Sequence, residues 1–406
     1  MTRSPTGWRM LMVLFTLTSV VESLAYGHFG AFTPIYLRQL GVVPANIPFW
    51  TGILGGVGFV IGLPLLPFWG VWAEKYSRKL VIIRSSYISA LLFAIAAASQ
   101  NVWMLLFARF LVGFVLGNTG VMLALQAEAT PRDRLGSVIG IVSSGSPLGV
   151  AIGPYLGSLV VERAGIRTLL LLDSALVACA ALALTFLIHE GGHTHDRTVS
   201  VRRMLEITYH NIVHTPIIMR LFVTYFLAGL GMMLATPFVP LMVERLYNGS
   251  ALARTIGIVL TTAGLAQAVA TPLWGRAGDK LGHLRMLIVC MLAAGTALAG
   301  QALAAHLLVF AGWRVAFAIF QGAIGALIMA LIAMRVADEQ RASVLTMSLL
   351  PLQFSWFLGP VLGALLSGLG LPTVFVAAAL LTTLATLPAA TLLSSMYTQE
   401  QRAGGD

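Results

Sequence analysis

Trp69-Gly70-Val71-Trp72-Ala73-Glu74-Lys75-Tyr76-Ser77-Arg78-Lys79 and Trp274-Gly275-Arg276-Ala277-Gly278-Asp279-Lys280-Leu281-Gly282-His283-Leu284-Arg285 are two versions of one short polar connection. Each follows a long apolar run and precedes another. A glycine lets two helices approach closely, a tight turn reverses the chain, and basic residues hold the turn in the cytoplasm. Gly70 and Gly275 stand 205 positions apart, as do Arg109 in LLFARFLVG and Arg314 in FAGWRVAFA. Gly153-Pro154 and Gly359-Pro360, and Pro34 and Pro240, repeat at 206. Four landmarks in one order at one step mark a duplicated chain.

Working outward, the composition requires a bilayer. Hydrophobic residues make up 58% of the 406, charged residues only 10%, and mean hydropathy is +0.88. A soluble domain carries about a quarter charged residues, and no water-facing fold of this length could hide so much apolar surface. A helical crossing needs ~20 apolar residues, and such runs recur at 9–37, 47–72, 79–99, 102–126, 135–162 and 167–188, then at 216–246, 252–274, 284–305, 307–334, 341–369 and 371–396. Long Leu-, Ala- and Gly-rich stretches read as helices, because barrel strands would be short and alternating. The pattern predicts an all-α membrane protein of twelve transmembrane helices in two pseudo-symmetric six-helix bundles: residues 1–188, a polar linker 189–215, and residues 216–406.

The net charge of +10 is an orientation signal. Arg3, Arg9, Lys75, Arg78, Lys79, Arg84, Arg132, Arg134, Arg197, Arg202, Arg203, Arg276, Lys280, Arg285, Arg335 and Arg341 fall in alternate connections, while the others hold only Arg38, Arg163, Arg167, Arg245 and Arg254. The positive-inside rule then puts both termini in the cytoplasm of a multi-pass inner-membrane protein. This charge placement argues against nucleic acid as a partner. Cys179 and Cys290 lie in apolar runs, which indicates neither a disulfide framework nor a thiolate site. The first run resembles a signal sequence but continues through Glu22 to Pro34, so it is read as a retained helix. His189, His193, His195, His210 and His214 read as scattered linker imidazoles, with no metal site and no cofactor expected.

The motifs resemble those of the major facilitator superfamily. Gly70 to Lys79 is similar to that family's loop between helices two and three, with Glu74 in place of Asp and Ser77 in place of Gly; the second copy keeps Asp279 and Gly282 but has His283. In the family the acid and Arg of this loop latch the halves, a role the resemblance gives to Glu74 and Arg78, with Glu128 at the end of helix four. Leu105-x-x-x-Arg109-x-x-x-Gly113 is similar to the helix-four motif, whose Arg is linked to proton transfer; for Arg314, nearer the start of its span, snorkelling to the interface is expected. Gly145-x-x-x-Gly149-x-x-x-Gly153-Pro154-x-x-Gly157-Ser158 resembles the antiporter motif, and Ser355, Gly359-Pro360, Gly363 and Ser367 repeat it. Small residues every four positions give a face for close packing, and proline bends the helix. With Pro237-Phe-Val-Pro240, these features resemble the twelve-helix drug:proton antiporter branch and imply the major facilitator fold.

Uphill transport needs a titratable group reached from both sides in turn. Glu22 lies about twelve residues into the first span, which at ~1.5 Å per residue is near mid-bilayer, and an acid there is a functional candidate by default. Glu22, Arg109 and Asp173 are the proton-coupling candidates, Asp173 being shallower and six residues after Arg167. Tyr26, Phe29 and Thr33 continue the Glu22 face, whereas His28 is turned well away from it. Asn118, Gln126, Tyr225, Gln267, Gln321, Gln353 and Trp356 complete the substrate-binding candidates. Conformational gating is assigned to Gly70, Glu74, Arg78, Glu128, Gly149, Gly153, Pro154, Gly157, Gly275 and Asp279.

So few polar groups among Leu, Ala, Phe and Met suit a lipophilic or amphipathic substrate better than a sugar. No phosphate-binding loop or nucleophile–base set appears in a supporting context, so the chain is not read as an enzyme. The expected function is proton-coupled efflux of lipophilic or amphipathic small molecules by alternating access, from a monomer in the bilayer. Alternatives are a lipid or glycolipid exporter or flippase, nutrient uptake, and a transport-dead sensor or scaffold signalling through the linker.

Overall fold

A computed structural model of the chain describes residues 6–75, 77–189, 216–336, 344 and 349–392. Among them, eleven continuous segments are long and apolar enough to cross a membrane. One, Leu135–Leu187, has 53 residues. A straight helix of that length would run ~80 Å, against ~30 Å of hydrocarbon. It breaks at Gly165, whose φ of 82° and ψ of 167° suit a residue without a side chain. The described residues therefore form twelve spans: α1 Trp8–Gln39, α2 Ile47–Lys75, α3 Arg78–Ala98, α4 Val102–Ala129, α5 (135–164), α6 (166–187), α7 Pro216–Leu246, α8 Leu252–Leu281, α9 His283–Leu303, α10 Leu307–Ala333, α11 Leu350–Leu369 and α12 Leu371–Leu392. Residues 190–215 of the polar linker, with His193, His195, His210 and His214, and the eleventh-span residues 341–343 and 345–348 lie outside the described residues.

Local chemistry sets several boundaries. Ser77 caps α3 by accepting from the Leu80 N–H at 3.1 Å, and Asn101 caps α4 by accepting from the Met104 N–H at 2.9 Å. The sequence predicts an unbroken fourth span, but α4 tightens to a 3-10 turn at Leu111–Phe114 and restarts at Asn118 after Gly117, at φ 93°. A side chain on Gly113 would come within 2.8 Å of the Gly58 carbonyl and 2.9 Å of the Gly62 nitrogen, so α2 and α4 meet backbone to backbone where α4 is redirected. In α7 a similar 3-10 turn at Thr236–Phe238 accompanies Pro237 and Pro240.

Interhelical contacts divide the chain into two compact units. One comprises the chain up to Ile47, Val57 through α6, and Gly249–Thr261; the other comprises Pro48–Gly56, α7 to Asn248, and Thr262 onward. Within the first, the glycines of α5 are a ladder for α1. A Cβ at Gly145 would lie 2.8 Å from Thr16 O, one at Gly153 3.0 Å from Leu24 O, and one at Gly157 2.9 Å from His28 Nε2, while Gly149 abuts Val20 O. The four-residue step is the same on both helices, which fixes the rotation and height of α1. The second unit packs α7 on α11 in the same manner, with Gly363 against Leu234 O and Ser355 donating to Phe226 O at 2.8 Å. Large apolar side chains such as Leu17, Leu91, Phe107, Val269, Leu308 and Leu380 are exposed, as helices bathed in lipid require.

This ladder makes a direct prediction. Gly149→Val would overpack the α1–α5 contact at a cost of ~1–3 kcal/mol and lower the melting temperature in detergent. Gly30→Ala, which meets nothing within 4 Å, should not lower it. Equal melting of Gly149→Val and the native protein would contradict so close an approach.

Candidate functional site

The rotation imposed on α1 turns Glu22 toward α3 and α4. Its Oε1 accepts a hydrogen bond from Ser86 Oγ at 2.6 Å, and its Oε2 from Asn118 Nδ2 at 3.4 Å. One turn on, the Tyr26 hydroxyl meets Ser89 Oγ at 3.1 Å and its ring packs on Phe93 at 5.3 Å. Ser86 and Ser89 are fully buried, whereas Glu22 keeps some exposure. The sequence reading had not singled out these serines. Their signal was Ser85-Ser86-x-x-Ser89, two hydroxyls three apart that meet a Glu–Tyr pair four apart on the neighbouring helix. The arrangement suits a group that alternates between carboxylate, with hydroxyl and amide donors supplied, and carboxylic acid.

Other candidates lie beside it. The Arg109 guanidinium is 4.5 Å from the Phe29 ring centroid. Thr33 is buried and donates to Phe29 O at 2.6 Å, which occupies its hydroxyl proton. Asp173 is paired not with Arg167 but with His28, at 2.8 and 3.1 Å from Nδ1, and both residues are buried. Arg167 instead donates to Ser99 O at 3.0 Å. His28 Nε2 is enclosed against Gly157 without a hydrogen-bond partner. Gln126 lies away from this cluster, donating to Trp8 O at 3.0 Å and Thr130 Oγ1 at 2.9 Å.

In the second unit, Gln321 of α10 sets its amide on the Met232 sulfur of α7, and Tyr225 is buried with its hydroxyl beside Gly325. Gln267 packs on Gly322, while Gln353 and Trp356 are half-buried on α11. The gating candidates are spread differently. Arg78 and Glu128 form an ion pair at 2.5 Å, and Asp279 pairs with His283 at 3.2 Å. A side chain on Gly275 would enter open space. The side-chain surroundings of Gly70 and Glu74 lie outside the described residues. Within the first unit the Pro154 carbonyl faces Gly257, and within the second the Pro360 side chain faces Gly55.

Twelve apolar spans and a hydrogen-bonded carboxylate within them define a polytopic membrane protein of transporter type. The Major Facilitator Superfamily profile matches residues 11–252 and 221–405, and the chain belongs to that family. It is 27% identical over 292 residues to the multidrug resistance protein MdtG of Salmonella arizonae, covering 71% of each chain. It is also 27% identical over 293 residues to MdtG of Escherichia coli, again covering 71% of each. Among solved structures it resembles a bacterial homologue of the lysosomal transporter Spinster, at a TM-score of 0.80, 15% identity and coverage of 95% of this chain and 98% of that one. The nucleoside transporter NupG matches at 0.77 and 15%, with coverage of 94% and 99%. The protein is a transporter of the major facilitator superfamily, a class that is not enzymatic.

Ser86 is the most informative residue to change. A hydrogen bond to an ionised group contributes ~1.5–3 kcal/mol, so Ser86→Ala should reduce transport about tenfold and alter its pH profile. Ser85→Ala, whose hydroxyl donates to Val81 O, should change neither. An unaltered rate and pH profile in Ser86→Ala would remove this contact from the working site.

Proposed function

We propose that the protein exports lipophilic or amphipathic small molecules in exchange for protons, by alternating access, with Glu22 as the proton carrier. The observation that carries this reading is the Glu22 carboxylate held by Ser86 and Asn118 inside the membrane-spanning part of the first unit. The resemblance to proteins named for multidrug resistance supports the export direction. An ionisable group among membrane helices is costly and by default marks a functional site, and Glu22 retains the partial exposure that proton exchange requires.

In this reading the carboxylate accepts Ser86 and Asn118 in its ionised form. Protonation turns it from an acceptor alone into a donor, and the α1–α3–α4 contacts rearrange accordingly. Tyr26, Phe29 and Asn118 are the substrate-binding residues of the first unit. Tyr225, Gln267, Gln321, Gln353 and Trp356 are those of the second. Arg109 assists proton exchange, and the Arg78–Glu128 pair breaks and reforms during the cycle. The Pro154–Gly257 and Pro360–Gly55 approaches let helices slide where no side chain intervenes. Residues 1–188 and 216–406 act as two bundles joined by 189–215, in a monomer with both termini in the cytoplasm.

The test uses purified protein in liposomes under an imposed pH gradient, with cationic, neutral and anionic amphiphilic dyes. Glu22→Gln should lose gradient-driven accumulation of every transported dye while retaining exchange of dye across the membrane. Full gradient-driven accumulation in Glu22→Gln would remove Glu22 as the carrier.

A further inference from the structure

Arg314 sits on α10 seven residues after Leu307, about 10 Å along the helix. Its Nε and Nη1 atoms are enclosed and have no hydrogen-bond partner among the described residues. The Phe317 ring lies 5.2 Å from its Cζ, and a π-face attracts the cation without satisfying its N–H donors. The described carboxylates of its unit are taken elsewhere in the fold. Glu244 is on the last turn of α7, and Asp279 is at the end of α8, paired with His283. The repeat-equivalent Arg109 differs, because its unit also holds Glu22 and Asp173.

A guanidinium with enclosed, unused donors is a cost that an anion removes, and its planar fork matches a carboxylate or phosphate. The same face of α10 continues from Arg314 through Phe317 to Gln321, with Met232 of α7 beside the last. Charge, aromatic ring, amide and thioether in sequence suit one molecule with an anionic head and an apolar body. We propose that Arg314 is an anion-binding residue, receiving the carboxylate or phosphate group of an amphiphile whose apolar part lies along Phe317 and Met232. The proposal rests on the export reading only in treating that amphiphile as cargo. The same head-group chemistry belongs to anionic membrane lipid.

The test is equilibrium binding to the full chain, purified in a neutral detergent, with a dansyl-labelled alkyl carboxylate and its uncharged amide as probes. The native protein should bind the carboxylate at least tenfold more tightly than the amide. Arg314→Gln should lose that preference, Arg314→Lys should keep part of it, and Ser85→Ala should leave it intact. In parallel, native mass spectrometry should score phosphatidylglycerol retained by the native protein and by Arg314→Gln. Carboxylate preference without lipid retention supports a soluble cargo, and Arg314-dependent lipid retention supports a lipid head group. Equal affinity for the two probes together with no Arg314-dependent lipid retention would overturn the proposal, a result the native protein can supply even if Arg314→Gln fails to fold. Carboxylate preference in a protein that shows no proton-driven export would sink the export reading and leave the anion site standing.

Discussion

A carboxylate inside a membrane must be given its hydrogen bonds by protein, because hydrocarbon offers none. That constraint on Glu22 organises the first unit. The donors come from two other helices, Ser86 on α3 and Asn118 on α4, so α1 must present the acid at one height and one rotation. Its placement is set on the opposite side of α1, where Gly145, Gly149, Gly153 and Gly157 of α5 admit the backbone at four-residue intervals. The motif that looks like generic small-residue packing therefore aims an ionisable group. The His28–Asp173 pair adds a polar fastening between α1 and α6 at the top of the same ladder.

The two units share a helical plan and divide the chemistry. The first concentrates acid, serines and a buried imidazole–carboxylate pair. The second offers amide, thioether, aromatic and one enclosed guanidinium. Duplication fixes where helices break and cross, as the Gly-Pro pairs at 153–154 and 359–360 show, but it does not fix which side chains occupy the faces. Arg109 and Arg314 make this concrete. They occupy equivalent positions, and only Arg109 shares its unit with Glu22 and Asp173. With Glu22 as the proposed proton carrier and Arg314 as the proposed anion site, a single chain would recognise two unlike ions.

Much of this could be read from one sequence, for physical reasons. Crossing a bilayer demands ~20 apolar residues, so the spans declare themselves, and the turn at Gly165 falls in the gap between the runs 135–162 and 167–188. Glu22 was legible because an acid in an apolar run is rare. Its partners were not. Ser86 is 64 residues away and Asp173 is 145 from His28, and helical periodicity says which residues share a face without saying which helix that face meets. The break in α4 was hidden for a similar reason. Gly113 reads as a motif residue, and its backbone approach to Gly58 and Gly62 exists only once α2 packs beside it.

The most direct test of Glu22 as the proton carrier is proton release at fixed pH, read by a dye in weakly buffered detergent solution when a transported amphiphile binds. The native protein should release protons on binding, and Glu22→Gln, binding the same amphiphile, should release none. Undiminished release from Glu22→Gln would place the exchanged proton on another group and contradict the coupling scheme, while leaving the helical scaffold as it stands.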